Sequence, residues 1–298
     1  MLATIWTILI GTLEEGLVYA IMALGVYITY KILDFPDLSV DGTFPLGSAV
    51  TAILITNGIL PAATLLISFL IGAIAGMITG IIHVKFRVRD LLSGIIMMTA
   101  LYSINLRIAG RANLPIFTKE TIFENAFLET LPAAVKPYLV TIILLLIVIV
   151  MKLFLDLYLK TKSGYLLRAA GDNEVLVTSL AKDKGMVKII GLALANGFVG
   201  LSGSVYAQKT GFFEISSGTG TMVMGLASVI IGINLFKKVP FIKTTTAVII
   251  GSIIYKICVA IAISLGMETS DLKLITSTLF LIILIISNDR KRRMKANA

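Results

Sequence analysis

About nine apolar runs, at residues 8–32, 43–57, 61–83, 92–110, 137–159, 187–208, 219–235, 241–265 and 271–287, occupy most of this chain. A segment crossing the ~30 Å hydrocarbon layer must satisfy its backbone hydrogen bonds internally, which takes a helix of about 20 apolar residues or a closed barrel. Unbroken runs of this length, without alternation, predict helices. The fold class expected is therefore an all-α polytopic membrane protein. Hydrophobic residues make up 57% and charged residues 14%, against roughly 25% charged in a soluble domain. No soluble stretch follows any run, so residues 1–298 read as a single transmembrane domain. The start lacks the basic flank and small-residue cleavage site of a signal peptide, so the first run is expected to be retained.

The net charge of +9 invites a nucleic-acid reading, but the placement of the bases opposes it. They gather in loops between apolar runs and in the tail RKRRMK at 290–295, as the positive-inside rule and anionic headgroups require. Lys237, Lys238 and Lys243 mark one cytoplasmic loop, the tail at 288–298 another, and HVKFRVRD at 83–90 a third. Counting back places 111–136 and the N-terminus outside, with a short helix expected at the LPAAVKP end of that loop. The single cysteine, Cys258, lies in an apolar run and permits no disulfide framework. The single histidine, His83, offers no metal site.

The most polar internal segment is 160–188, with five lysines, one arginine and three acids. It must lie in water, on the Lys-rich side. Its pattern predicts a short amphipathic helix presented to a soluble partner.

Two small-residue segments echo one another: residues 41–49 (DGTFPLGSA) align with residues 219–227 (TGTMVMGLA), and each opens a short span. The charge-derived topology runs them in opposite directions, the pattern of an inverted repeat whose broken helices line a path. The first copy belongs to a break at 34–44 with Asp34, Asp37, Asp41, Pro36 and Gly42. That break either lines a cavity or is a solvated turn. Glu14 and Glu15 either face a polar pathway or subunit interface, or lie at the outer surface where the spanning part begins at Gly16. Arg107 either meets an anionic ligand or snorkels to the interface. Asn196, mid-span, is either a cavity residue or an interhelical hydrogen-bonding one, and Tyr206 and Gln208, near the outer end of the same run, are candidate substrate contacts. Ser217, Gly218, Thr219 and Gly220 are helix-capping material, and a helix N-terminus facing a cavity attracts carboxylates. The candidate substrate pathway is Asp41, Gly42, Thr43, Asn196, Gln208, Thr219, Gly220 and Thr221. No G-x-x-x-x-G-K-[ST] loop, catalytic triad or metal cluster is present, so the chain is expected to be no enzyme.

The stretch GYLLRAAGDN at 164–173, Gly185-Met186, ANGFVGLSG at 195–203 and the GTG segment at 218–220 resemble the permease subunits of ABC importers of the branched-chain amino acid, ribose and nucleoside type. DLSVDGTFPLG at 37–47 resembles that family's element near the first spans, in the variant of the subgroup importing aromatic or other hydrophobic amino acids. The resemblance implies the type II importer permease fold in a bacterial cell membrane. It implies a homodimer of permeases, a cytoplasmic ABC ATPase dimer that binds ATP and Mg, and an extracytoplasmic substrate-binding lipoprotein. No cofactor falls to this chain. It places a coupling helix at about 171–180, with Asp172 as N-cap and Arg168 fixing the preceding loop, and Gly171, Asn173, Glu174, Leu176 and Ser179 beside them. Ribose-type members carry an extra N-terminal span, which agrees with an outside N-terminus here. The expected cargo is an amino acid, with a sugar or nucleoside as the alternative. A stand-alone secondary transporter and a membrane scaffold are the rival classes.

Overall fold

The structure, a computed structural model, describes all residues except 1, 131, 133–134, 173–182, 238, 240, 266–270, 272–273, 275, 279 and 286–298. It is a helical bundle: α1 (Leu2–Val26, continued by a π-helical turn Tyr27–Ile32), α2 (Val40–Thr56), α3 (Pro61–Lys85), α4 (Asp90–Ala109), α5 (Ala126–Glu129), α6 (Leu139–Tyr158), α7 (Lys162–Asp172), α8 (Lys184–Thr210), α9 (Thr221–Phe236) and α10 (Thr244–Ser264). Seven helices are long and apolar enough to cross a membrane. Two shorter apolar helices, Val40–Thr56 and Thr276–Ile285, stand at the other two positions expected to span. Of the about nine expected spans, seven are thus long helices and the other two positions hold shorter ones among the described residues.

The centre is built on small residues. α8 packs along α3, α2 and α1, and 72% of its spanning window is buried, against 17% for α6. A Cβ on Gly47 of α2 would overlap the Gly200 carbonyl oxygen, and one on Gly203 would overlap that of Phe44. Apolar side chains have no reason to leave lipid for each other, so close backbone approach supplies the packing that joins membrane helices. Hydroxyls stitch the same seam: Thr51 Oγ1 donates to Ser204 Oγ at 2.6 Å and Ser68 Oγ to the Gly47 carbonyl at 3.2 Å.

The break after α1 has a clear local cause. Pro36 cannot donate a backbone hydrogen bond and disfavours a helical Phe35. The helix widens into its π turn and Asp34 turns at φ 52°. Phe35 then lies edge-on to the His83 ring, centroids 5.0 Å apart, and the chain turns back into the bundle. His83 is thus an aromatic packing partner, with Nδ1 also 2.9 Å from the Val88 carbonyl oxygen.

Two further elements differ from expectation. Asn113–Pro115 pairs antiparallel with Phe212–Glu214, a small ribbon at the end of the bundle opposite the basic loops. Residues 162–172 are helical, where a loop around Arg168 was expected to lead into a coupling helix at about 171: Gly164, Leu167 and Ala170 form a buried stripe at helical spacing. Of the LPAAVKP segment, the described part includes a 3-10 turn at Lys136–Tyr138.

Candidate functional site

The two echoing segments meet. The Asp41 carboxylate, near the start of α2, accepts from the backbone N–H of Gly220 (2.9 Å) and Met222 (2.7 Å) and from Thr221 Oγ1 (3.0 Å). Asp41 thus serves as the missing N-cap of α9, whose own flanking residue, Gly220, has no side chain to offer and turns at φ 83°. A carboxylate at a helix N-terminus meets both free N–H groups and the positive end of the dipole. Gly218 allows the approach, since a Cβ there would overlap the Asp41 carbonyl oxygen and lie 2.5 Å from Pro45 Cδ.

Behind this junction lies a second, fully buried polar knot. Asp37 accepts from Ser39 N–H at 2.9 Å and from Asn196 Nδ2 at 2.7 Å, and Ser39 Oγ donates to Asn196 Oδ1 at 3.2 Å. Asn196 stands midway along α8, so the knot sits at mid-depth in the bundle. Gly42 packs on Leu101, and its carbonyl accepts from Asn105 Nδ2 at 3.0 Å. Thr43 is buried, its hydroxyl bonded to the Ser39 carbonyl at 3.0 Å. Buried polar groups at this depth are tolerated only when mutually satisfied or facing a cavity.

Of the expected pathway residues, the structure joins Asp41 to Gly220 and Thr221, Asn196 belongs to the knot, and Gly42 and Thr43 follow it at the start of α2. Thr219 is exposed at the junction's rim. Gln208 lies apart: its Nε2 donates to Thr64 Oγ1 at 3.0 Å and its Oε1 accepts from Ile122 N–H at 2.9 Å, fastening the 111–125 segment to α3.

Lys256, which no sequence motif singled out, lies inside α10. It reaches Glu15 Oε2 at 3.1 Å and stands 4.0 Å over the Tyr19 ring, which stacks on Phe44 at 5.7 Å and neighbours Tyr206 at 6.1 Å. Glu14 pairs with Lys209 at 3.3 Å and accepts from Thr141 at 2.8 Å. Helix α1 runs unbroken from Leu2 through both acids, so Gly16 is not a helix start. A lysine within an apolar run was the available signal, since such residues are costly and mark paths or interfaces.

At the basic end, α7 crosses the break after α1: a Cβ on Gly171 would overlap the Ile32 carbonyl oxygen. Arg168 is exposed on α7, not in a loop, and Asp172 is the last described residue of that helix. Asn173, Glu174, Leu176 and Ser179, and with them the expected coupling helix, lie outside the described residues. Among the described residues no group of three metal-ligating side chains occurs.

Long apolar helices around two facing helix starts are those of a multi-pass membrane protein. Residues 8–287 match the family described as branched-chain amino acid transport system / permease component, and the chain belongs to that family. It is 46% identical over 290 residues to the tyrosine transport system permease protein of Clostridioides difficile, covering 97% of this chain and 95% of that one. It is 27% identical over 224 residues to the probable branched-chain amino acid transport permease protein LivH of Methanocaldococcus jannaschii, covering 71% and 70%. It is 25% identical over 224 residues to the ribose import permease protein RbsC of Escherichia coli, covering 75% and 68%. No solved structure matches.

Proposed function

We propose that this permease carries an amino acid, of the aromatic class, into the cell, driven by ATP hydrolysed in a partner subunit. The observation that carries the reading is the near full-length likeness to a tyrosine permease. The absence of a phosphate-binding loop from the sequence supports the division of labour. In this reading two copies of the chain pair, a cytoplasmic ATPase dimer holds ATP and Mg, and an extracytoplasmic binding protein delivers the cargo. Closure of the ATPases acts on Arg168, Gly171, Asp172, Asn173, Glu174, Leu176 and Ser179. Because Gly171 touches the Ile32 carbonyl, movement of α7 reaches the break at 33–39, and through Asp37 and Asp41 both α8 and the start of α9. That is a rigid-body route by which rocking helices open one side and close the other. The pathway residues Asp41, Gly42, Thr43, Asn196, Gln208, Thr219, Gly220 and Thr221 then frame or brace the moving junction.

The test is a mild-detergent pull-down of the tagged chain from its native membrane, with partners identified by mass spectrometry. A co-purifying ATPase with a phosphate-binding loop is expected, and it should be lost when 172–180 is replaced by a Gly/Ser stretch. A chain that purifies without any ATPase would overturn the reading.

A further inference from the structure

At the basic end, the last turn of α6, the start of α7 and the start of α10 enclose a cleft of about 390 Å³. Three cations line it, Lys160, Arg168 and Lys243, with one carboxylate, Asp156, and with Tyr27, Tyr165, Thr244 and Thr245. Asp156 is already engaged: it bonds Lys243 at 3.0 Å, Lys152 at 3.4 Å and Thr245 at 2.7 Å. Lys160 and Arg168 have no ion pair among the described residues, and both are exposed. The 21-residue helix α10 also begins here, with Lys243 as a flanking residue that supplies no side-chain cap, so its first N–H groups want an acceptor. Cations, hydroxyls and an uncapped helix start around one open cleft make an anion site.

We propose that this cleft binds the headgroup of an anionic phospholipid from the cytoplasmic leaflet. The lipid source follows from the surroundings. The excess of Lys and Arg puts this end at the cytoplasmic face, where anionic lipids attract basic pockets between spanning helices. Beside the cleft in sequence, Leu157 is 64% and Phe241 87% exposed, which gives acyl chains an apolar surface next to the headgroup. Helix α6, one wall of the cleft, is also the least buried of the long spans. The bound headgroup would hold α7 against α10, so leaflet composition would act on the element nearest the ATPase. The inference does not depend on which solute the permease moves.

The test is native mass spectrometry of the full-length chain in detergent, titrated with phosphatidylglycerol, phosphatidylcholine or inorganic phosphate. Phosphatidylglycerol is expected to bind in preference to phosphatidylcholine. The K160Q/R168Q variant should bind it roughly 10–30-fold more weakly, the loss of two headgroup-facing cations. A K85Q/R87Q variant, altered at exposed bases at and just after the end of α3 on the same side, should keep the wild-type preference. Equal losses in the two variants would reduce the effect to general surface charge and overturn the site. Full displacement of the lipid by millimolar phosphate would make it a phosphate site and overturn the lipid reading. Failure of phosphatidylglycerol to bind the permease when its ATPase is attached would mean that the partner covers the cleft, which also overturns it. Both glutamine positions are exposed, and unchanged thermal unfolding without added lipid shows that K160Q/R168Q folds.

Discussion

Replacing Asp41 by alanine is expected to abolish uptake and to lower the stability of the purified permease by about 2–4 kcal/mol. The substitution leaves the Gly220 and Met222 N–H groups without their acceptor; an orphaned buried donor costs roughly 1–3 kcal/mol, and the lower part of that range applies to these half-buried bonds. Gly218, buried against Asp41 and Pro45, narrows the approach of water to the vacated site. Asn at the same position keeps an acceptor oxygen and loses the charge facing the helix dipole, a change of about 1 kcal/mol. The order expected in thermal unfolding and in uptake is therefore wild type, then D41N, then D41A. A D41A protein as stable and active as wild type would show that the α2–α9 junction carries neither fold nor transport.

The second large effect is expected at Gly47. A leucine there must force apart the α2 and α8 backbones, since Cβ alone would overlap the Gly200 carbonyl and lie 2.8 Å from its Cα. Overpacking a well-packed core costs about 1–3 kcal/mol when side chains can shift. Here the obstacle is backbone, so the cost lies at or beyond that range, and G47L should give no monodisperse protein on size-exclusion chromatography. Gly11→Leu is the matched control, because nothing lies within 4 Å of a Cβ at that position. It should elute as wild type. Equal elution of both variants would mean that α2 does not pack as described.

The bundle was legible in the sequence because hydropathy fixes helices wherever lipid is the solvent, and run boundaries such as 61–83 and 137–159 came close to Pro61–Lys85 and Lys136–Tyr158. The junction was legible in outline. The DGT and TGT segments share small residues because two helix starts must approach closely there, and Asp41 was named with Gly220 and Thr221. That one segment's carboxylate caps the other's helix was not readable, since such a bond spans 179 residues. The ribbon of Asn113–Pro115 with Phe212–Glu214 was hidden for the same reason: three-residue strands carry no pattern, and only the meeting of the α4 and α8 ends pairs them. Lys256 escaped because averaging over its run dilutes one charge among aliphatic neighbours. Helix α7 escaped because its two glycines and its bases Lys162 and Arg168 read as a solvated loop, although Gly164, Leu167 and Ala170 already stood at helical spacing.

The most direct test of the central claim is uptake of labelled tyrosine by proteoliposomes holding the permease with its co-purified ATPase, the binding protein supplied outside the bilayer face it serves. Uptake should require ATP and magnesium at the ATPase face, persist when ionophores collapse proton and sodium gradients, and fall to background in D41A. Uptake by the permease alone that follows an ion gradient and ignores ATP would contradict the account.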